Sequence, residues 1–436
     1  MAIEINIKKG LDIPLEGKAS GKAEPISCTK IGICPDDYPG YTWKCDVKPG
    51  SAVAKGTAIF HAKEAEDIKL VSPVSGEVEE IRRGERRKIL AVVIRRSGDE
   101  YVAPEGSDLK AKLLNSGLWA LMRQRPYDVV PDPASQPRDI FVTAFDSAPL
   151  APGMIPAHLT DWLETGLEAL KTFTKGNVYL GVRPEQALRS KSAKTIEVKG
   201  PHPAGNVGVQ IAAVAPINKG ETVWTLNAAT AARIGMLAKK GVTDYRSEVA
   251  ITGPAAVKPK KVLADFGASL AEMLKGEIKE GEHSRVISGN VLTGVKVNPE
   301  EDFLHYPYRQ VTIIEEGDNA DEFMGWASMN PNKFSIKRTF PAFLKGLGKH
   351  YDFDARVRGG RRAMILSGEL DKVFPFDIYP EYLIKAMIAG DFDRMEKLGI
   401  YEVAPEDFAL PEFVDTSKQE LQKLTRESLE RLRKDS

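Results

Sequence analysis

The feature that most constrains the fold is the close spacing of glycines and prolines through residues 47–84. Two stretches carry it, VKPGSAVAKGTAIF (47–60) and KLVSPVSGEVEEIRRG (69–84). In both, short alternating apolar runs are separated by glycine or proline, which is typical of strands joined by tight turns. The sequence therefore predicts a β-rich unit at the start of the chain.

This pattern resembles the barrel-sandwich hybrid of lipoyl and biotinyl domains. The resemblance lies in the repeated V-x-x-G spacing and in the later S-P-x-S-G-x-V, here residues 72–78. The Met-Lys-Met tip that such domains modify is absent. Its hairpin carries HAKEAED (61–67), so we expect Lys63 to be a solvated turn lysine without a covalent cofactor.

Composition narrows the class of protein. The chain has 436 residues, with 42% hydrophobic and 28% charged residues, which excludes wholesale disorder and predicts several domains. Lysines and arginines number 61, as do aspartates and glutamates, so a general polyanion-binding role is disfavoured and no nucleic acid is expected as a partner. The cysteines number three, at 28, 34 and 45, which argues against a secreted disulfide scaffold.

Beyond the first segment, the pattern predicts a mixed α/β, multi-domain chain. Buried-strand runs (139–144 and 177–182) alternate with helical patterns (160–172 and 228–237), which favours a Rossmann-like parallel sheet. The tail from Thr416 has leucines at helical spacing, and Ser417 with Glu420 predicts its capping box. The predicted domains are a barrel-sandwich hybrid at 1–105, a Rossmann-like α/β domain at 106–250, a β-grasp (SLBB-like) domain at 251–330 and a helical C-terminal domain at 331–436.

The familiar cofactor and catalytic motifs are missing. The sequence has no G-x-G-x-x-G, no P-loop and no cysteine run for an iron–sulfur cluster, and GPHPAG (200–205) has prolines where a phosphate loop needs free N–H groups. We therefore predict no catalytic residue, no metal site and no prosthetic group. The longest apolar run, 207–217, is too short to span a bilayer, so any membrane link is predicted to be peripheral.

Several stretches, taken in order, resemble one family: the A subunits (NqrA) of the Na+-translocating NADH:quinone oxidoreductases. They cover nearly the whole chain. They include IKKGLDIPLEG (7–17), SPVSGEVEEIRRGERR (72–87), SGLWALMRQRPYDVVP (116–131), IFVTAFDSAPLA (140–151), GPHPAG (200–205), TGPAAVKPKKV (252–262), RVISGNVLTG (285–294) and FPFDIYP (374–380).

The resemblance implies a peripheral subunit on the cytoplasmic face of the bacterial inner membrane. In that family the complex passes electrons from NADH to quinone and exports Na+. The A subunit contacts the membrane-embedded B subunit, is joined by the C to F subunits, and has been assigned a quinone-binding role. FAD, FMN, riboflavin and iron–sulfur centres belong to the other subunits, so the isolated chain is expected to be inactive.

The layout also resembles the flavoprotein subunit of respiratory complex I, without its FMN and iron–sulfur sites. The relatives carry a glycine-rich phosphate loop where this chain has Ser116–Val130, whose bulk leaves only Gly117. This chain departs from the family at LPEFVDTSKQE (410–420), which lacks two usual cysteines, and at Cys34 and Cys45, where the family usually has none.

Two aromatic clusters are candidates for quinone contact, because a quinone site needs apolar walls and a few hydrogen-bond donors. The residues predicted to lie near quinone are Tyr38, Tyr41, Trp43, Trp119, Arg123, Arg125, Tyr127 and His202. The alternative for the aromatics is domain packing, and for the arginines it is pairing with carboxylates. For His202 the alternative is a structural histidine in a turn.

A basic patch is predicted at the tip of a hairpin, formed by Arg82, Arg83, Arg86, Arg87 and Lys88. It either faces anionic lipid or an acidic partner, or it is simply solvated. The same two interpretations apply to the group Arg356, Arg358, Arg361 and Arg362. The terminal helix either docks on the B subunit or packs within the chain.

Three functional hypotheses follow. The first is a quinone-associated accessory subunit, and the second is a structural scaffold with the quinone site wholly in the B subunit. The third is a stand-alone ligand-binding protein that uses residues 250–300. Quinone binding by the isolated chain separates the first from the second, and recovery with a membrane complex separates the third from both.

Overall fold

The computed structural model describes residues 2–281, 283–318, 322–323, 327–331, 333–336 and 349–435. Strands and helices are numbered below in chain order. The predicted domains 251–330 and 331–436 each include residues outside these ranges, and their boundaries stay predictions.

Two antiparallel sheets form the β-rich unit that the glycine spacing predicts. In the described residues one sheet has the order β3–β9–β8–β5 and the other β4–β6–β7. The strands are β3 (Lys30–Ile33), β4 (Trp43–Cys45), β5 (Ala52–Val53), β6 (Ala58–Ala62), β7 (Ala65–Val71), β8 (Gly76–Arg83) and β9 (Ile89–Arg96). Lys63 lies exposed in the turn between β6 and β7, as predicted.

A mixed sheet with four helices forms the second unit. Its strands are β1 (Ile3–Asn6), β10 (Arg123–Arg125), β11 (Asp139–Thr143), β12 (Val178–Val182), β13 (Lys194–Lys199) and β14 (Val223–Asn227). All of its pairings are parallel except that of edge strand β10 with β14. Strand β12 is buried along its whole length, as a strand covered on both faces must be. The predicted parallel sheet is therefore confirmed.

The unit has four helices among the described residues, and two of them approach each other very closely. The four are α1 (Leu109–Asn115), α2 (Leu163–Leu170), α3 (Val207–Val214) and α4 (Ala228–Lys240). The Asn227 side chain caps α4 by accepting from Thr230 N, and Gly241 closes it in the left-handed conformation. A β-carbon on Gly166 of α2 would lie 1.8 Å from the carbonyl oxygen of Ala231 in α4.

The third sheet has the order β18–β17–β19–β15–β16–β2 among the described residues. Its strands are β2 (Ser20–Pro25), β15 (Arg246–Thr252), β16 (Lys260–Asp265), β17 (Ser284–Ser288), β18 (Val295–Val297) and β19 (Gln310–Glu315). Helix α5 (Leu270–Met273) follows β16. Three of its pairings are antiparallel and two are parallel, so this sheet differs from the mostly parallel second one.

The first 25 residues do not pair with the barrel-sandwich strands. Strand β1 pairs in parallel with β13, and β2 pairs in parallel with β16. The N-terminal segment thus supplies the outermost strand of two other sheets and covers the edges that β13 and β16 would otherwise expose. The opening segment of the predicted domain at 1–105 therefore pairs with the other two sheets and not with the rest of that domain.

The C-terminal region is helical, as predicted. Its helices are α6 (Pro380–Ala389), α7 (Phe392–Lys397), α8 (Ala409–Val414) and α9 (Leu421–Asp435). Helix α9 begins later than the predicted capping box, because the Asp415 carboxylate accepts from Ser417 N and Gln419 N and holds 415–419 in a turn. Ser417 is therefore not the cap. Leu421 and Leu429 of α9 are fully buried within the C-terminal core, so the helix packs inside the chain.

No helix in the described part of the chain is long and apolar enough to cross a bilayer.

We expect Gly166→Ala to destabilise the α/β unit by about 2–3 kcal/mol, because the new β-carbon would meet backbone atoms of α4 that cannot move alone. The free energy of unfolding, followed by the fluorescence of the buried tryptophans, measures the effect. Gly153→Ala is the matched control, since nothing lies within 4 Å of its β-carbon. Equal stability of the two variants would contradict the close packing of α2 on α4.

Candidate functional site

A cavity lies where the barrel-sandwich unit, the α/β unit and the third sheet meet, and we call it the junction cavity. A water-sized sphere can reach about 50 Å³ inside it, and the wider hollow around that space is partly open to solvent. Its lining comes from the loop after β3, the N-terminal end of α4 and the segment 304–309 before β19. Because three units contribute, the cavity exists only when they are docked.

Aromatic rings form one wall of the junction cavity. Tyr38 and Tyr306 are stacked, with centroids 5.4 Å apart and planes 8° apart. The ring centroid of Phe266 lies 6.1 Å from that of Tyr306, and the ring centroid of Tyr245 lies 6.3 Å from that of Phe266. Such a wall matches the flat apolar faces of a conjugated ring.

A buried arginine faces this wall from helix α4. The guanidinium of Arg233 lies 4.8 Å from the centroid of Phe266 and donates to the carbonyls of Asp244 and Arg246 and to the hydroxyl of Ser247. In the described part of the chain it forms no salt bridge. Burial lowers the pKa of Arg233 to about 10. The hydrogen bonds of this cation thus all go to neutral acceptors, and the Asp244 carboxylate attracts it without a direct ion pair.

A second arginine lines the cavity from the segment 304–309. Arg309 donates to the carbonyl of Gly153 at 2.6 Å, and its nearest carboxylate oxygen, on Asp146, is 3.6 Å away. Burial lowers the pKa of Arg309 as well. Two desolvated guanidinium groups therefore border one cavity.

Three potential metal ligands stand together at the same cavity: Cys34, Asp37 and His305. One ligand atom from each lies within 4.8 Å of the other two. His305 Nδ1 is 2.8 Å from one carboxylate oxygen of Asp37, and the other oxygen accepts from Tyr306 N at 2.9 Å. Burial raises the pKa of the Cys34 thiol well above its usual range, and the neighbouring carboxylates add to that shift.

The two predicted aromatic clusters meet, but only Tyr38 of their members lines the junction cavity. Trp43 donates to the carbonyl of Tyr38, and Tyr41 and Trp119 both donate to the carbonyl of Pro131. Trp119 is wholly buried against Trp224, with centroids 5.2 Å apart. These contacts are those of domain packing.

Arg123 lies behind the aromatic wall. Its guanidinium is 5.5 Å from the centroid of Tyr306, and it donates to the carbonyls of Asp37, Ala120 and Met122. The side chain therefore joins the loop after β3 to edge strand β10.

Arg125 and Tyr127 lie at a different interface, against the C-terminal helices. Arg125 is buried and pairs with Asp407 at 2.8 Å and with Glu406 at 2.7 Å. Tyr127 packs edge-on against Tyr401, with centroids 6.2 Å apart. The geometry brings both of these predicted residues to the C-terminal region, and not to the junction cavity.

His202 is buried beside Ser147, whose hydroxyl is 3.0 Å from its Nδ1. Its backbone N–H donates to Asp12, and its Nε2 has no hydrogen-bond partner among the described residues. Burial lowers the pKa of His202 to about 4, so the ring is neutral at physiological pH. It does not line the junction cavity.

The basic patch divides into paired and unpaired members. Arg82 pairs with Glu80, Arg83 donates to the carbonyl of Arg87, and Lys88 pairs with Asp36. In the described structure the exposed side chains of Arg86 and Arg87 form no ion pair. The second arginine group is paired or hydrogen-bonded throughout: Arg356 and Arg358 bind Glu322 and Asp354, Arg361 binds Glu420 and Arg362 donates to the carbonyl of Thr416.

Sequence reasoning did not find the residues that line most of the cavity. Arg233 sits inside a helical pattern that gives no sign of a site. The run HYPYR (305–309) carries a stronger signal, because it places a histidine, two tyrosines and an arginine in five positions. That density of aromatic and basic groups within a strand-rich segment is the feature that marks the site.

Taken together, the sheets and helices define a class of protein: a multi-domain α/β chain that combines a barrel-sandwich hybrid with a parallel-sheet domain. Family models assign this chain more narrowly, to a particular family. Residues 5–97 match the NqrA N-terminal barrel-sandwich hybrid domain, residues 105–243 the NqrA second alpha/beta domain and residues 248–298 the NQRA C-terminal domain, an SLBB domain. The chain belongs to the NqrA family, the A subunits of Na(+)-translocating NADH-quinone reductases, and the predicted family and fold class are confirmed.

Curated relatives match from end to end. The NqrA proteins of Vibrio anguillarum and Serratia proteamaculans are each 36% identical to this chain, covering 99% and 98% of it and 100% and 99% of their own lengths. The protein of Neisseria meningitidis serogroup B (strain ATCC BAA-335 / MC58) is 34% identical over 99% of this chain and 100% of its own.

Among solved structures, an NAD+-reducing [NiFe]-hydrogenase in the air-oxidized state matches with a TM-score of 0.29 and 14% identity. The match covers 42% of this chain and 41% of the hydrogenase chain. A TM-score this low carries no argument about the function of this chain.

We expect Arg125→Met to destabilise the chain by about 3–5 kcal/mol, because it leaves the Asp407 carboxylate buried without its cation. Chemical unfolding of the variant against the parent measures the loss. Lys219→Met is the control: it removes an exposed ion pair with Glu396 and should cost less than about 1 kcal/mol. Adding Asp407→Asn to Arg125→Met should restore part of the loss. A neutral effect of Arg125→Met alone would contradict a structural role for this pair.

Proposed function

We propose that this chain is the peripheral NqrA subunit of a Na+-translocating NADH:quinone reductase and that its junction cavity binds the quinone head group. The chain lies on the cytoplasmic face of the bacterial inner membrane and docks on the membrane-embedded B subunit, with the C to F subunits completing the complex. The observation that carries the proposal is the pairing of an aromatic wall with one buried and one largely buried arginine in one cavity.

The chemistry of a quinone matches this lining. Its ring offers two flat faces, which stack on Tyr38, Tyr306 and Phe266. Its two carbonyl oxygens accept hydrogen bonds, which Arg233 and Arg309 are placed to donate. Because Arg233 forms no ion pair among the described residues and the Asp146 carboxylate stays 3.6 Å from Arg309, the site favours negative charge that develops on a quinone oxygen.

The chain's part in the reaction is to bind and orient. The segment that faces the cavity at the start of the α/β unit is filled by Leu118–Met122, all buried, so backbone N–H groups are not free to cradle a phosphate. This supports a subunit without a prosthetic group, to which electrons come from FAD, FMN, riboflavin and iron–sulfur centres elsewhere in the complex. The isolated chain is accordingly inactive.

The alternative is a purely structural scaffold, with the quinone site wholly in the B subunit. One observation favours it: Trp119, Arg123, Arg125 and Tyr127 act in contacts between domains. This hypothesis predicts normal assembly without quinone binding by this chain.

We expect the purified chain to bind one water-soluble, short-tailed benzoquinone, as measured by calorimetry. Tyr38→Leu removes the stacked ring and keeps apolar volume, and Arg309→Met removes a charged donor. Each should raise the dissociation constant by about tenfold. Tyr382→Leu, on the exposed face of α6, is the control and should bind like the parent.

Two outcomes contradict the quinone proposal. Unchanged binding in both cavity variants would place the quinone elsewhere on the chain. An absence of saturable binding, together with normal recovery in the membrane complex, would favour the scaffold hypothesis and a quinone site in the B subunit. Circular dichroism of each variant separates lost binding from lost folding.

The unpaired part of the basic patch is the face that we assign to docking. Arg86 and Arg87 project from the turn between β8 and β9, where two free charges can meet an acidic partner surface or anionic headgroups. We expect Arg86→Glu with Arg87→Glu to lower recovery of the chain in the membrane complex several-fold. Lys275→Glu with Lys279→Glu changes the same charge at other exposed positions and should leave recovery unchanged. Equal recovery of both variants would rule out this face.

A further inference from the structure

We propose that Cys34, Asp37 and His305 form a binding site for a divalent transition metal, with Zn²⁺ as the best fit. This inference is separate from quinone binding and does not rest on it. The sequence alone predicts no metal site, because no histidine lies near the cysteines along the chain. The fold brings a histidine to Cys34 from the segment 304–309 before β19.

The distances are close to those of a bound cation. The three ligand atoms lie within 4.8 Å of one another. A tetrahedral zinc with bonds of about 2.0–2.3 Å holds its ligand atoms roughly 3.5 Å apart. The longest separation would have to close by about 1.3 Å, and the hydrogen-bonded His305–Asp37 pair, now 2.8 Å apart, would have to open by about 0.7 Å; side-chain rotation can supply both changes.

Local backbone structure explains why two of the ligands share one side. Cys34 precedes the 3₁₀ turn Pro35–Asp37, and its carbonyl accepts from Asp37 N at 3.2 Å. This turn brings the thiol and the carboxylate of residues three apart to the same end. His305 arrives from the other side of the junction, where its backbone N–H donates to Ser288 Oγ.

The donor set selects the kind of metal. Thiolate, imidazole and carboxylate together suit Zn²⁺ or Co²⁺, whereas Mg²⁺ and Ca²⁺ prefer oxygen ligands alone. Three protein ligands leave a fourth position, as in zinc sites that keep an exchangeable ligand. All three residues line the junction cavity, so that position is accessible from it.

The surroundings favour a cation and hold the ligands in place. Asp36 and Asp302 add negative charge near the thiol, and Arg82 opposes them. The second carboxylate oxygen of Asp37 accepts from Tyr306 N at 2.9 Å, an outer contact of the kind that orients metal ligands.

The three thiols differ in a way that singles out Cys34. Cys28 donates to the carbonyl of Ser269, and Cys45 donates to the carbonyl of Val47. Among the described residues the Cys34 thiol has no hydrogen-bond partner. A metal that binds and deprotonates the Cys34 thiol therefore breaks no hydrogen bond that this thiol donates to the described residues.

Titration of the reduced, metal-free full chain with Co²⁺ tests the site. We expect one Co²⁺ per chain, the strong visible bands of a tetrahedral site and a thiolate-to-cobalt charge-transfer band, all removed by added Zn²⁺. Cys34→Ser should abolish the charge-transfer band, and His305→Gln should weaken Co²⁺ binding at least tenfold while the cysteine remains. Cys45→Ser is the matched control and should keep the band.

The site is disproved if the reduced chain gives only the weak bands of octahedral Co²⁺, or if the charge-transfer band survives Cys34→Ser. Circular dichroism establishes that each variant is folded, and His305→Gln tests the site without altering any thiol. No quinone is present in this titration, so its result is independent of the calorimetric test of quinone binding.

Discussion

Asp37 is the residue on which the arrangement of the units depends. Its carbonyl accepts from Arg123 of the α/β unit, and its carboxylate accepts from His305 and from the backbone N–H of Tyr306 before the third sheet. One residue thus holds the short loop after β3 against two neighbours, through its backbone carbonyl on one side and its carboxylate on the other. The stack of Tyr38 on Tyr306 then follows from the position of that loop.

A second polar joint fixes the C-terminal helices to the same α/β unit. Arg125 binds Asp407, and Arg426 of α9 binds Asp128 at 2.6 Å and the carbonyl of Tyr127 at 2.9 Å. The segment that follows α1 therefore serves as a connector to two other units. This explains the bulky and charged side chains of a segment that the resemblance to relatives led us to compare with a phosphate-binding loop.

Local signals in the sequence predicted much of the fold, and long-range contacts account for what they missed. The helical pattern at 228–237, confirmed as α4, and the turn-rich strands of the first unit depend on neighbours along the chain. The pairing of β1 with β13 depends on a sheet edge that the local pattern does not reveal. The site is missed for the same reason, since Cys34 and His305 approach only when the first and third units dock.

The position of the cavity has a thermodynamic consequence. A ligand or cation that contacts Asp37 and Tyr38 on one side and His305 and Tyr306 on the other binds only to the docked arrangement. Its binding free energy therefore adds to the stability of the interface between those units, by linkage. Because Arg123 joins the same loop to β10, a change at the cavity also reaches the α/β unit. Binding at this cavity thus acts on the packing of the units against one another.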